Sequence, residues 1–307
     1  MGSWPGQDLS LPLSGVGSLA SLADRTRARA VDGVVAFVLQ RRDRPDPDRY
    51  FGRGKLAEVK QAGVFGLAGF DAVRELRVAS GPLEAVLLPE VGARLHRLRA
   101  FGHDLLHAPR DPEEHRTAPF DWGGYVMAPW CNRLSARPTM VEGRTIELPA
   151  NFPDGTAIHG QIYDRRWATD GDGMTSRISA GGAGWPWTYE ARFGAYPDGR
   201  GLRFELALVN RSDGPMPAGI GLHPWWRRPL LVAIDADRVY PSNTNPPDSP
   251  HAVAGAYDLR SLAAPAAGLD ATWTALGLRP VQLSWPQLGV ALGLRLSGAN
   301  HVVMATP

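Results

Sequence analysis

The chain has 307 residues, 44% of them hydrophobic, with a formal charge of +2. This allows a sizeable core in one large or two ordinary domains, and the charge is too evenly mixed for a nucleic-acid-binding stripe. A single cysteine, Cys131, excludes an intrachain disulfide, and no apolar run approaches the ~20 residues that span a bilayer. The start, "MGSWPGQDLSLPLSGVGSLASLADRTRARA", lacks the basic region and unbroken apolar stretch of a secretory signal. The expectation is a cytoplasmic protein with neither nucleic acid nor membrane as a partner.

Before residue 70, "ARAVDGVVAFVLQRRDRPDPDRYFGRGKLAEVKQAG" predicts a strand from Val31 to Leu39. A proline-broken loop follows, then a short helix from Gly54 or Lys55. Over residues 20 to 62 this stretch resembles part of the N-terminal domain of HflX-type ribosome-associated GTPases, where "QRRDRPDP..Y.G.GK..E" is typical. No G-x-x-x-x-G-K-[ST] loop occurs, and "GRGK" lacks both its spacing and its Ser or Thr. Residues 1–71 are therefore expected to be an appended extension that holds no site residue and whose removal leaves the rest folded. Residues 72–307 are expected to form one domain.

From about Arg74 the chain becomes short strands separated by Gly, Pro, Asn and Asp. "RELRVASG", "LEAVLLPEVGARLHRLRAFG", "GMTSRISA", "WTYEARFGAYPDGRGLRFELALVN" and "VQLSWPQLGVALGLRLSG" carry this pattern. "YPDGRG" between two alternating runs predicts a hairpin turn. No long segment of 3.6-residue period interrupts the series. The predicted class is all-β, a large sandwich.

Several residues invite a chemical reading. His103-Asp104-Leu105-Leu106-His107 imitates H-E-x-x-H, but "FGHD" reads as a turn between strands. Two strand positions four apart lie ~13 Å from each other, and Asp104 stands where Glu is required; this is a surface hairpin, not a metal centre. No cysteine-protease signature surrounds Cys131, which reads as a small side chain beside a site. Trp130, Trp185, Trp187, Trp225 and Trp226 read as core or rim packing. His159, in "AIHGQIYDRRW", and His223, in "AGIGLHPWWRRP", fall at predicted strand ends, where an imidazole facing a cleft can move a proton near neutrality. The unit from Pro129 to Gly160 opens on Asn132-Arg133 and closes on His159-Gly160, so polar groups stand at both ends of one hairpin-like excursion.

"PWCNRL", "VEGRTIELPAN", "AIHG...W", "GLHPWW" and "GLDATW", in that order, resemble the aldose 1-epimerases, the galactose mutarotase-like proteins, over roughly residues 72 to 307. The resemblance implies a twisted β-supersandwich and an aldose or aldose phosphate as substrate, with no cofactor. By the same resemblance His223 is the general acid that protonates the pyranose ring oxygen, and His159 its partner at that end of the ring. Arg133 binds sugar hydroxyls, Asn132 shapes the turn before it, and Asp270 fixes hydroxyls further round the sugar. The family's general base is a Glu in a C-terminal "C-x-E-P" strand that follows a "VV..TP"-like segment. Here "HVVMATP" is the last of the sequence, and Glu190 and Glu205 sit in ordinary alternating strands. The expectation is a sandwich incomplete at its C-terminal end with impaired anomer exchange, the alternative being a carbohydrate-binding or regulatory domain without turnover.

Overall fold

The computed structural model describes residues 30–41, 73–198, 201–243 and 247–306. Strand β1 (Ala30–Arg41) comes first. Then follow β2 (Leu76–Ser80), β3 (Leu83–Leu88), β4 (Arg94–Ala100), β5 (His103–Asp104) and the one-turn helix α1 (Glu114–Thr117). The middle of the chain holds β6 (Gly124–Met127), β7 (Arg133–Ser135), β8 (Thr139–Val141), β9 (Arg144–Ile146) and β10 (Thr156–Ile158). Next are β11 (Ala168–Thr169), β12 (Thr175–Gly182), β13 (Trp185–Asp198), β14 (Gly201–Asn210), β15 (Gly221–Pro224) and β16 (Leu231–Ala233). The last are β17 (Ala236–Tyr240), β18 (His251–Ala252), β19 (Asp270–Leu276), β20 (Val281–Trp285), β21 (Val290–Ser297) and β22 (Val302–Ala305).

These strands build an all-β sandwich, as the turn-punctuated pattern predicts. An eight-stranded sheet runs β11-β12-β13-β14-β1-β21-β20-β16, and a six-stranded sheet runs β15-β6-β4-β3-β2 with β5 on β4. A four-stranded sheet, β18-β17-β19-β22, and two short ribbons, β7 with β10 and β8 with β9, complete it. Strict alternation in β2, buried at Leu76, Val78 and Ser80, shows one face inward and one in water. Leu87 and Leu98 of the six-stranded sheet, Phe193, Phe204, Trp285 and Leu292 of the eight-stranded one, and Trp273 of the four-stranded one all belong to a single buried cluster. Trp185 and Trp187 are 1% exposed and pack ring to ring in that core. Trp226 leans on Trp285 beside it. Among the described residues no helix is long and apolar enough to cross a membrane.

Turn chemistry sets the connections. β13 and β14 pair right up to Asp198 opposite Gly201, around the predicted "YPDGRG" turn. Glu142 and Gly143, both at positive φ, join β8 to β9 in the manner of a type I′ hairpin. A register shift between β3 and β4 leaves two residues, Leu95 and His96, opposite Leu87, a β-bulge that turns His96 into the interior.

The strand expected from Val31 to Leu39 is present as β1, and its position is interior. It pairs antiparallel with β14 on one side and β21 on the other, with Val35 opposite both Phe204 and Leu296. One strand of the largest sheet thus comes from within the first 71 residues. The helix expected from Gly54 or Lys55 lies outside the described residues.

Candidate active site

The site grows from the ribbon of β7 and β10. Ile158 pairs with Arg133, so the next residues outward, His159 and Asn132, face each other where the two strands part. Both adopt left-handed backbone, φ 61° and 60°, a conformation Asn tolerates and His takes less often. They are bound reciprocally. The His159 backbone N–H donates to the Asn132 carbonyl at 3.0 Å, and the Asn132 N–H donates to His159 Nδ1 at 3.2 Å. Because Nδ1 accepts, the ring proton sits on Nε2, leaving a hydrogen-bond donor. Gly160 follows at φ 82°, where an added Cβ would lie 2.0 Å from the Ala128 carbonyl oxygen. Gly160→Ala is expected to lower the unfolding free energy by at least about 2 kcal/mol, read from urea midpoints.

His223 arrives from a different sheet. β15 pairs with β6 so that His223 stands opposite Tyr125, the rings stacked at 4.6 Å with 12° between planes. Its Nδ1 is enclosed, facing nothing but the residue's own backbone carbonyl, which leaves Nε2 to meet a ligand. The His159 and His223 rings lie 5.1 Å apart. Phe120, Phe152, Tyr163 and Trp225 wall the space around them, with Phe120 6.1 Å from His159 and Trp225 5.7 Å from His223. Burial pushes His159 down to about 3, helped by the charges of His223 and Arg133. Burial likewise brings His223 down to about 4; its own backbone carbonyl opposes this and Arg94 adds to it. At pH 7 both imidazoles are neutral.

The polar end is a connected set. Arg133 donates from Nε to Asp154 at 2.8 Å and from a terminal nitrogen to Asn132 Oδ1 at 3.2 Å, and its guanidinium lies over Phe152. Asn132 in turn donates its side-chain amide to the Asn243 carbonyl at 3.3 Å. Asn243, 7% exposed, donates to Asp270 Oδ1 and accepts from the Thr272 hydroxyl. Asn243 thereby joins the β7–β10 ribbon to the four-stranded sheet, where Asp270 begins β19. All five residues singled out in the sequence, Asn132, Arg133, His159, His223 and Asp270, fall in this one neighbourhood.

Other candidates settle elsewhere. His103 and Asp104 form β5 in a hairpin turned by Phe101 and Gly102, and Asp104 is gripped by Arg97 and Arg99. Cys131 lines the site, its thiol pushed up to about 12 by burial. Glu190 pairs with Arg192 and Arg211, and Glu205 with Arg203. Sequence reasoning missed Asn243, Asp154, Tyr125 and three members of the aromatic wall, Phe120, Phe152 and Tyr163, while reading the fourth, Trp225, as core or rim packing. Asp154 had a local signal, an Asp beside Gly in a turn; Asn243, in "YPSNTNPP", had none beyond loop composition.

The sequence profile described as aldose 1-epimerase matches residues 76–252, more than half of the chain. Asn132, Arg133, His159 and His223 lie inside that segment and Asp270 lies beyond it. The uncharacterized protein YihR of Escherichia coli strain K12 is 29% identical over 175 residues, covering 53% of this chain and 55% of that protein. The chain therefore spans about half the length of the curated relative it matches. A galactose mutarotase-like protein from Clostridium acetobutylicum shares the fold with a TM-score of 0.59 at 19% identity, over 70% of this chain and 75% of its own. The Slr1438 protein of Synechocystis sp. PCC 6803 does so with a TM-score of 0.56 at 18% identity, over 78% and 87%. With the sandwich as support and the profile as the deciding match, the chain belongs to the aldose 1-epimerase family.

Proposed function

We propose that the protein interconverts the α and β anomers of an aldose. The observation that carries this reading is the pair of neutral imidazoles 5.1 Å apart, one with its proton fixed on Nε2, in an aromatic pocket bordered by Arg133 and Asp270. Anomer exchange opens a hemiacetal, lets the carbonyl end rotate and closes it on the other face. A proton goes to the ring oxygen as the bond to the anomeric carbon breaks, and another leaves the anomeric hydroxyl. The protonated form of His223, a small fraction at pH 7, delivers the first and is left neutral, water takes the second, and His159 holds that end of the ring through its Nε2–H. Arg133 and Asp270 hold hydroxyls elsewhere on the sugar. Arg133 already carries Asp154 as a partner, which supports uncharged hydroxyls over a phosphate as its ligand.

A second reading, sugar binding without turnover, is favoured by one observation. Glu190 and Glu205, the glutamates weighed as bases, are both held by arginines on strands of the eight-stranded sheet, away from the two imidazoles. Polarimetric decay of α-glucose or α-galactose separates the readings. His223→Ala and His159→Ala are each expected to lower catalysed exchange by about 10²–10⁴ while the unfolding transition stays cooperative. Sugar binding by the parent chain with no exchange above the water rate would select the binding module, and full activity in both variants would remove the assignment.

A further inference from the structure

The strands β15, β6 and β4 are neighbours, and their registers line up three side chains. His223 is opposite Tyr125, and Leu95 is opposite Gly124, which puts Arg94 on the other side of Tyr125. At ~4.8 Å per strand step, a row of this kind places the guanidinium roughly 10 Å from the imidazole, with the phenol ring between them. The side chains follow the row: Tyr125 stacks on His223, and Arg94 Cζ lies 5.1 Å from the centroid of the same tyrosine ring.

Arg94 is 0% exposed. It donates to the carbonyls of Pro119 at 2.6 Å, Trp122 at 3.1 Å and Tyr163 at 3.2 Å, and faces His115 Nδ1 at 3.5 Å. These are dipoles and a neutral ring; no carboxylate hydrogen-bonds to it. Burial lowers its pKa to about 10, so it remains charged at neutral pH. Asp164 acts on it through space without a hydrogen bond, so the enclosed cation lacks a carboxylate in contact, which is costly and leaves part of its potential at the neighbouring rings. The carbonyls that hold it come from the segment after α1 and from Tyr163, which also walls the site. Packing alone gives no reason for a charge at this position, since its neighbours across the sheet are Leu88 on β3 and Tyr125 on β6.

We propose that Arg94 is a positioning residue acting on His223 through Tyr125: a fixed positive charge that adds to burial in making this imidazole release its proton more readily, and that makes its end of the pocket favour an oxygen gaining negative charge. The titratable groups facing His223 are Tyr125 from β6, His159 from the end of β10 and, beyond the tyrosine, Arg94 from β4. Among these, Arg94 alone is permanently charged at neutral pH. In anomer exchange the ring oxygen gains negative charge as its bond to the anomeric carbon breaks and before the proton arrives, which is when such a field lowers the barrier.

The test is a histidine-ring NMR titration of the full chain, with the His223 signal identified by its loss in His223→Gln. Arg94→Gln is expected to raise the His223 pKa by roughly one unit, the effect of removing a unit charge about 10 Å away at an effective dielectric of 20. Arg94→Lys, which keeps the charge, should hold it low. The kinetic part rests on the mutarotase reading: the limb of the kcat/KM profile on which His223 loses its proton, the falling one as pH rises, should move up by the same unit in Arg94→Gln, with KM little changed. An unmoved His223 pKa in Arg94→Gln overturns the proposal. If that variant does not fold, Tyr125→Phe, which keeps both ring and charge, is expected to leave the pKa in place; a full-unit rise there would assign the effect to the phenol and overturn it equally. A pKa that moves in a protein that never exchanges anomers would support Arg94's role and remove only the mutarotase reading.

Discussion

Proline at Val35 is expected to destabilise the protein by about 3 kcal/mol or more, and deletion of residues 1–72 to abolish its cooperative unfolding. Val35 lies in a strand paired on both sides, opposite Phe204 and Leu296. Proline there removes a ladder donor and brings its ring against the neighbouring backbone. Against a total stability of ~5–15 kcal/mol that is a large fraction. Deletion goes further, because the sheet order leaves β11-β12-β13-β14 on one side and β21-β20-β16 on the other with no partner between. Phe204, Leu206 and Leu292 on the two flanking strands share one core, so the opened halves would expose it. Urea unfolding followed by tryptophan fluorescence is the measurement. A truncated chain that unfolds with the parent's midpoint and slope would mean that β1 is dispensable, which is what the composition of the first seventy residues suggests when taken alone.

Acid is expected to destabilise the fold steeply below about pH 6.5, well above the range where carboxylates titrate. His96 and His115 are 1% and 0% exposed and joined Nδ1 to Nε2 at 2.9 Å. Burial first, and then the charge of Arg97, brings His96 down to about 4; burial first, and then Arg94, brings His115 to about 2. His159 and His223 are lowered in the same direction. The unfolded chain takes up these protons near pH 6.5 and the folded one does not until about pH 4 or below. The stability they contribute is therefore complete above pH 6.5 and falls as pH drops toward 4, by about 1.4 kcal/mol per pH unit for each proton taken up on unfolding. Urea midpoints between pH 7.5 and 4.5 measure it. His96→Gln with His115→Gln should flatten the curve, whereas an equally steep curve in that double variant would place the effect in other groups.

The strands after Arg74 were legible because their turns carry Gly, Asp and Asn at positions that need positive φ, and because alternation marks the faces that meet the core. Asn132, Arg133, His159, His223 and Asp270 stood out through motif order, and the short register of β7 with β10 brings the first three together. What stayed hidden depends on partners distant in the chain. β1 reads as a strand from its own residues, but nothing local says that it lies between Leu202–Leu208 and Val290–Leu296. Arg94 in "RLHRLRAFG" looks like any outward arginine of an alternating strand, and only the bulge at His96 and the carbonyls beyond α1 show that it points inward. Asn243 sits in a loop whose composition announces a turn and no more.

The ribbon of β7 and β10 has one more consequence. Because Arg133 and Ile158 pair directly, the chain from 136 to 155 is an excursion whose two ends are already clamped, and its tip at Glu142-Gly143 stands in solvent. Extra residues spliced in at that tip would lengthen a closed loop without changing the distance between Asn132 and His159. The tip is therefore a place to carry a fluorescent label or a short affinity sequence, an attachment point that leaves the pocket's geometry alone.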